Sequence, residues 1–195
     1  MNANSKLRCS WCAGSELYER YHDEEWGVPL FDDEKLFEFL ILEGAQAGLS
    51  WITVLNKREG YREAFDGFDP VAISKYDKRK INSLMNNEGI IRNQLKIKSA
   101  INNAQTYLEI TSTGTSFSDY MWEFVDGKPI ENQFELRSEV PATTPISDLM
   151  ARTLKKAGFN FVGSTICYAL MQATGMVNDH LVECHRHLEC AKFHK

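Results

Sequence analysis

One helical segment constrains the fold of this chain more than any other, because it places an acid on an apolar face. Four residues fall at i, i+4, i+7 and i+11, the spacing of one helix face: Leu36, Leu40, Glu43 and Ala47. Asp32 or Asp33 is expected to cap the start of this helix. An unpaired buried carboxylate costs at least several kcal/mol, so Glu43 is predicted to be partnered, protonated or reserved for a ligand.

Two interpretations of Glu43 remain open at this stage. In one, it is a helix-edge glutamate that pairs with an Arg or Lys elsewhere in the chain. In the other it lines a ligand site, because three aromatic residues bracket it in sequence: Tyr21, Trp26 and Trp51. Gly44 and Gly48 follow Glu43 closely, and glycine inside a helical run indicates close approach of another backbone or of a ligand.

The pattern along the 195 residues predicts an all-α protein. Helices are expected at residues 52–65 after Ser50, at 77–89, at 93–110, at 117–125 and at 147–158 with Ser147 as the cap. Residues 130–145 have no clear period and are predicted to form an extended linker. No run alternates long enough to indicate a strand. The length fits a single domain, 1–195, or two small helical lobes that share one cleft.

The sequence predicts a cytoplasmic protein. No apolar run reaches the roughly 18 to 20 residues that span a bilayer, and the first eleven residues contain no apolar signal core. The chain has five cysteines, and an odd number without a signal sequence favours reduced thiols over a disulfide framework. Metal binding by some of these thiols is the remaining alternative.

A net charge of −5 argues against a simple nucleic-acid-binding protein, since Lys and Arg make phosphate contacts. A local basic patch is enough to face DNA, and basic residues do cluster within 92–98 and 152–156. A third cluster, residues 75–80, is more typical of a solvated helix face.

Five separated segments resemble those of a known family. In chain order they read YHDEEWGVP, LEGAQAGLSWITVL, GIIRN, GFNFVGSTICYALMQATG and VNDH. Together they are similar to the DNA-3-methyladenine glycosylase I family, and the resemblance runs from Cys9 to Cys184. It implies an all-α, helix-hairpin-helix fold and an enzyme that hydrolyses the N-glycosidic bond of 3-methyladenine, leaving an abasic site. The implied partner is double-stranded alkylated DNA, with no membrane and no protein partner, and a monomer is the simpler expectation.

A helix pair joined by a glycine-flanked connection, within about 147–175, is the candidate contact to the DNA backbone. Glycines at both ends of the connection let backbone N–H groups and a helix N-terminus converge as an anion site. Two packed helices with a glycine turn are also common without that function. The resemblance favours a backbone contact made by Gly158, Gly163, Ser164 and Thr165, although the connection is longer than the usual hairpin of that superfamily. No lysine starts the second helix, which disfavours a Schiff-base lyase mechanism.

A metal site is the second candidate. His180 and Cys184 are four residues apart, so they would share a face if that segment were helical. The resemblance adds Cys9 and His22, giving a closed Cys2His2 set that binds one structural zinc. Several other side chains are possible rival ligands on spacing alone: Cys12, His185, His187, Cys190 and His194. Free thiols and histidines that bind nothing are the remaining alternative.

A base pocket is the third candidate, because a glycosylase must extrude its target base and read it by stacking and hydrogen bonds. By resemblance, Glu43 is the catalytic residue that hydrogen-bonds the base. The predicted aromatic base-binding residues are Tyr21, Trp51, Trp26 and Trp11, with Tyr18 as a further wall. Aromatic faces and a carboxylate favour a cationic methylated adenine over the neutral base. Asp179 is a minor candidate, either for stabilising positive charge or for orienting His180.

Two further functions stay open from the sequence. A non-catalytic, zinc-stabilised helical DNA-binding module explains the hairpin and the Cys/His set but leaves Glu43 unexplained. A metalloenzyme with catalytic zinc predicts that chelation stops turnover before the protein unfolds.

Overall fold

A computed structural model describes residues 6–193 and confirms the all-α prediction. In this part of the chain, eleven α-helices are joined by turns and five short 3-10 helices. The α-helices are α1 (Glu16–Glu24), α2 (Asp33–Gln46), α3 (Trp51–Leu55), α4 (Arg58–Ala64), α5 (Pro70–Ile73), α6 (Lys78–Met85), α7 (Gln94–Thr111), α8 (Phe117–Trp122), α9 (Pro145–Ala157), α10 (Ser164–Ala173) and α11 (His185–Cys190). Within the same residues, no helix combines the length and apolar character needed to cross a membrane.

Helix α2 is the centre of the fold and is buried on every side from Leu36 to Ala45. It packs against α3, α7, α8 and α10. The Asp32 side chain accepts a hydrogen bond from the backbone N–H of Lys35 at 2.9 Å, which confirms it as the cap. The helix ends at Gln46, so Ala47 lies just outside the predicted helical face.

Lys96 of α7 holds the C-terminal end of α2. Its ammonium donates to the backbone carbonyls of Ala45 at 2.7 Å and Ala47 at 2.8 Å. These carbonyls are among the last four of the helix region, which lack partners within the helix. The connection from Gln46 to Trp51 therefore leaves α2 in a fixed direction, with Gly48 at a φ of +78° in the turn.

The predicted helix over residues 52–65 is two helices, α3 and α4, separated at Asn56 and Lys57. The break lies immediately before Arg58, which is buried and bonds to Glu38 of α2 and to Glu25, each at 2.6 Å. Ser50 precedes α3, but its hydroxyl bonds to the Thr53 hydroxyl and does not cap the helix backbone.

The predicted linker contains more structure than the sequence indicated. Ile130–Glu131 (β1) pairs in parallel with Val177–Asn178 (β2), and Arg137–Glu139 form a 3-10 helix. Ser147 as the cap of α9 is wrong, because the helix begins at Pro145 with Thr144 as its N-cap. Ser147 is the third residue of a capping box, in which the Thr144 and Ser147 side chains each bond to the other's backbone N–H.

Gly175 is predicted to be a stability-determining glycine. It has a φ of +69°, and a Cβ there would overlap the backbone of Val28 and Pro29. Gly67 has the same φ of +69° but open space around it. Replacing Gly67 by alanine therefore measures the free-energy cost of the backbone conformation alone. Gly67→Ala should lower the free energy of unfolding by about 1 kcal/mol. Gly175→Ala should cost roughly 1–3 kcal/mol more in urea unfolding, and equal losses would contradict the packing argument.

Candidate functional site

A cavity of about 320 Å³ opens between α1, α2, α10 and the segment around residues 137–141. All five predicted base-pocket residues line it together with the candidate acid: Trp11, Tyr18, Tyr21, Trp26, Trp51 and Glu43. The structure therefore brings these residues to one place. Their roles in reading a base remain predictions.

Glu43 lies at the inner end of this cavity and is 3% exposed. Within residues 6–193, its Oε2 atom is buried and has no hydrogen-bond partner. The alternative of a helix-edge glutamate paired with Arg or Lys is therefore wrong for Glu43, and Glu38 is the ion-paired acid of this helix. Burial raises the pKa of the Glu43 carboxyl to about 8, so the proton stays bound at neutral pH while the cavity holds no cation.

Trp51 and Tyr21 form an aromatic corner beside Glu43. Their ring centroids are 5.4 Å apart, and Phe39 lies parallel to Trp51 at 6.4 Å, so packing fixes the orientation of the indole. The Trp51 Nε1–H is buried and lacks an acceptor in the described part of the chain. Burial, and secondarily the Glu43 charge, raises the pKa of Tyr21 well above its ordinary value, so its hydroxyl remains a donor.

A second part of the cavity lining is an edge-to-face cluster centred on Trp11. Its ring centroid lies 4.9 Å from that of Tyr18, 5.0 Å from that of Trp26 and 5.3 Å from that of His22. Trp26 in turn contacts the His180 ring at 4.6 Å. This part of the lining therefore joins the cavity to a second cluster of polar side chains, the candidate metal centre.

The candidate metal centre consists of Cys9, His22, His180 and Cys184, all buried, with donor atoms within 4.8 Å of one another. Cys184 Sγ lies 3.4 Å from His22 Nε2 and 3.6 Å from His180 Nδ1, and Cys9 Sγ lies 3.8 Å from His180 Nδ1. Ligands of tetrahedral zinc with Zn–S near 2.3 Å and Zn–N near 2.05 Å are separated by roughly 3.5 Å. The donor set therefore fits a metal of that kind.

Each histidine of this centre has its second ring nitrogen fixed. His22 Nδ1 contacts Asp23 Oδ1 at 2.8 Å, and His180 Nε2 contacts the Trp26 carbonyl at 3.0 Å. Such partners set the tautomer that leaves the other nitrogen free to bind a metal. A hydrogen bond from the Cys9 thiol, assisted by His180 and His22, lowers the pKa of Cys184 despite burial, which supplies a thiolate.

The sequence argument for this centre was wrong in one respect. Residues 177–184 are not helical: Cys184 is the N-cap of α11, and a turn from its N–H to the Leu181 carbonyl brings it back toward His180. The rival ligands lie elsewhere or have other partners. Cys12 Sγ donates to the Cys9 carbonyl, and His187 Nε2 contacts the Asn132 carbonyl. His185 and Cys190 are outside the four-residue centre, and His194 lies outside the described residues.

Asp179 does not orient His180, which corrects one of its two expected roles. Its carboxylate accepts hydrogen bonds from Asn132 at 2.7 Å, Tyr168 at 2.6 Å and Gln172 at 2.8 Å. All three donors are neutral, and Asp179 lines the cavity. It is therefore a fixed acidic group within the same site as Glu43.

The hairpin between α9 and α10 is held against the rest of the protein by α7. Asn103 exchanges two hydrogen bonds with the backbone of Asn160, at 2.8 and 3.0 Å, and Gly158 ends α9 with a φ of +113°. Phe161 packs on α2 at Gly44, where an added Cβ would lie 3.3 Å from the Phe161 Cβ. The close approach predicted at Gly44 is thus confirmed, and it links the hairpin to the helix of Glu43.

Gly163 is the N-cap residue of α10, and Ser164 is its first helical residue. The Ser164 hydroxyl bonds to Asp148 at 2.5 Å and to Ser147 at 2.8 Å. The backbone N–H groups of Ser164 and Thr165 lie in the first turn of α10, where N–H groups lack partners within the helix, and their role as an anion site remains a prediction.

Sequence reasoning missed four polar residues of the cavity: Ser10, Gln46, Gln172 and Arg137. Gln46 lies three positions after Glu43 on α2, and this helical spacing alone predicts that the two side chains lie on the same face of the helix. Gln172 is one helical turn after Tyr168 on α10, and both bond to Asp179. Arg137 comes from the segment without periodicity and carried no local signal.

Comparisons with known proteins agree with this geometry. A sequence model described as methyladenine glycosylase matches residues 11–187. DNA-3-methyladenine glycosylase 1 of Escherichia coli (strain K12) is 50% identical over 177 residues, covering 91% of this chain and 95% of the relative. A crystal structure of 3-methyladenine DNA glycosylase I superimposes with a TM-score of 0.92 at 51% identity, covering 93% of this chain and 100% of its own. A variant of such an enzyme in complex with 3-methyladenine matches at 0.88 and 35% identity, covering 91% and 96%.

Glu43 is predicted to make the stability of the protein fall with rising pH, relative to Glu43→Gln. Its folded-state pKa of about 8 exceeds the ordinary 4.5, so its stabilising contribution is complete below pH 4.5 and is lost as the pH rises to about 8. The difference in free energy of unfolding between the two proteins should change by up to about 1.4 kcal/mol per pH unit in that window. Urea unfolding measures it, and a difference that is independent of pH would contradict the assignment.

Proposed function

This chain belongs to the methyladenine glycosylase family, and we propose that it is a monofunctional DNA repair glycosylase that hydrolyses the N-glycosidic bond of 3-methyladenine in alkylated DNA. The product is an abasic site. The observation that carries the proposal is the buried, unpaired Glu43 carboxyl in an aromatic cavity. A family relative in complex with 3-methyladenine supports the same substrate class.

Glu43 selects the damaged base through charge. A 3-methylated adenine in DNA is cationic, so its arrival favours the ionised carboxylate and lowers the pKa of Glu43 from its raised value. A neutral adenine leaves the carboxyl protonated, so it gains none of the ionic attraction that a cationic base gains from the carboxylate. In this proposal the Tyr21 hydroxyl donates a hydrogen bond to the edge of the base, and Trp51 stacks on the base ring. The contact between the Tyr21 and Trp51 rings supports these roles.

Bond cleavage requires little acid catalysis because the alkylated purine is already an activated leaving group. As the bond to the sugar breaks, the base becomes neutral and positive charge develops on the sugar. Water then adds to the sugar carbon and loses a proton. Asp179 lines the same cavity and is held by neutral donors, so its carboxylate is available to stabilise that positive charge.

The hairpin binds the DNA backbone in this proposal. Gly158 and Gly163 bound the connection, and the N–H groups of Ser164 and Thr165 at the start of α10 face a phosphate without reading sequence. Contact between Phe161 and Gly44 supports a fixed distance between the bound backbone and the base pocket.

Zinc is the metal that we propose for the Cys9, His22, His180 and Cys184 centre, with a structural role. Four protein donors complete a tetrahedral shell and leave no position for an activated water, which disfavours a catalytic zinc. When bound, the metal joins the two ends of the chain beside the cavity. We further propose that residues 1–195 form a single domain. The protein would act as a monomer on double-stranded DNA in the cytoplasm.

Replacing Glu43 is the direct test of the proposed function. Wild-type protein should release 3-methyladenine from methylated DNA, as measured by chromatography of the free bases. Glu43→Gln should keep the fold and lower the single-turnover rate by roughly 100-fold or more, because it loses the charge that selects the cation. Glu109→Gln, at an exposed position of α7, is the matched control and should retain full activity.

Full activity in Glu43→Gln would remove its assigned role. Tight binding of abasic DNA by the wild-type protein, with no base released from methylated DNA, would instead support the non-catalytic DNA-binding module.

Metal removal should unfold the protein and abolish activity together. Cys184→Ala should abolish the binding of one zinc per chain and lower the melting temperature, because the ends of the chain lose their crosslink. Cys12→Ser is the control, since Cys12 lies outside the centre and bonds to a backbone carbonyl that serine can also reach. Metal content and circular dichroism during chelation measure the effect, and loss of turnover from a fully folded apoprotein would favour a catalytic metal.

A further inference from the structure

Arg137 stands at the mouth of the base cavity as an exposed cation. It lines the cavity together with Val140 and Pro141. Within residues 6–193, its guanidinium has no ion pair or side-chain hydrogen bond. A cation held at a ligand cavity without a protein partner is available to an external anion.

The backbone that carries Arg137 is preorganised. The Glu139 carboxylate accepts hydrogen bonds from the N–H groups of Glu135 at 2.8 Å and Leu136 at 3.0 Å. The N–H of Val182 bonds to the carbonyl of Phe134 at 3.0 Å, and this ties the segment to the chain that follows β2. Glu139 is thus occupied by the backbone and is not a partner for Arg137, whose position at the rim is fixed.

The cavity therefore has an acid at its inner end and a cation at its mouth. Glu43 is 3% exposed at the inner end, whereas Arg137 is exposed at the mouth. Tyr18 lies within range of both: burial raises its pKa, Arg137 opposes that rise and Glu43 adds to it. A nucleotide with a cationic base has the complementary polarity, with positive charge on the base and negative charge on its phosphates. Arg137 would repel the base itself, so the anion is the fitting partner.

We propose that Arg137 binds a phosphate of the DNA strand beside the extruded nucleotide, so that the rim orients the nucleotide with its base toward Glu43. This inference rests on the proposed function. It adds a second backbone contact, separate from the hairpin, on a protein whose net charge of −5 makes each cation facing DNA important. Arginine suits the role because its planar fork can bind two phosphate oxygens.

The test compares DNA binding with free-base binding in Arg137→Gln. Binding to a duplex with a stable abasic analogue is measured over a range of salt concentrations, and binding of free 3-methyladenine is followed by tryptophan fluorescence. The variant should bind the duplex roughly tenfold more weakly at physiological salt, and the slope of log K against log[salt] should decrease by about 0.9. Affinity for the free base should be unchanged, and Arg137→Lys should restore most of the slope.

Arg79→Gln is the matched control, since Arg79 is an exposed arginine of α6, and it should leave the slope unchanged. An unchanged slope in Arg137→Gln, or an equal loss of free-base affinity, would overturn the phosphate contact. These outcomes are separate from the proposed function, which fails if wild-type protein releases no base from methylated DNA, whatever the slope.

Discussion

Within the described residues, helix α2 buries the carboxyl of Glu43 without a protein partner for its Oε2 atom. Helix α2 is enclosed on all sides, and the carboxyl of Glu43 meets a cavity where the helix would otherwise meet an apolar neighbour. In the described part of the chain, Glu43 has no ion-pair partner, and the buried cation Arg58 is paired instead with Glu38 of the same helix. Burial keeps the proton on Glu43, and a cationic ligand would replace that proton. We propose that the desolvation that costs stability thereby makes the cavity selective for a cationic base.

Three distant parts of the chain are arranged around that carboxylate. The Cys9 and Cys184 regions meet at the candidate metal centre, and Trp26 connects this centre to the cavity through its carbonyl and its ring. On another side, the hairpin reaches α2 where Phe161 packs on Gly44, next to Glu43. The candidate metal centre and the hairpin therefore both contact elements that line the cavity around Glu43.

Much of this arrangement follows from local pattern. Helical spacing placed Glu43 on a buried face, and Asp32 was recognisable as a cap. The start of α9 was also readable, because Pro145 is typical of the first helical position, whereas the prediction placed the cap at Ser147. Other features depend on contacts far apart in sequence. His180 and Cys184 come together through a turn that their four-residue spacing did not predict. The family resemblance, and not the spacing, indicated the four residues of the candidate metal centre. The position of Arg137 is set by long-range contacts of its segment, made by Phe134 and β1. No local periodicity in the sequence predicts these contacts.

The most direct measurement is a titration of the Glu43 carboxyl carbon itself by nuclear magnetic resonance. Glutamate labelled at the carboxyl carbon, with Glu43→Gln used to assign the signal, reports the protonation of this one group in the folded protein. Our account predicts a midpoint near the pKa of about 8, followed by a shift to lower pH when a duplex with a cationic base analogue fills the pocket. A midpoint near the ordinary 4.5, unchanged by that duplex, would contradict the claim that burial reserves this carboxylate for a cation.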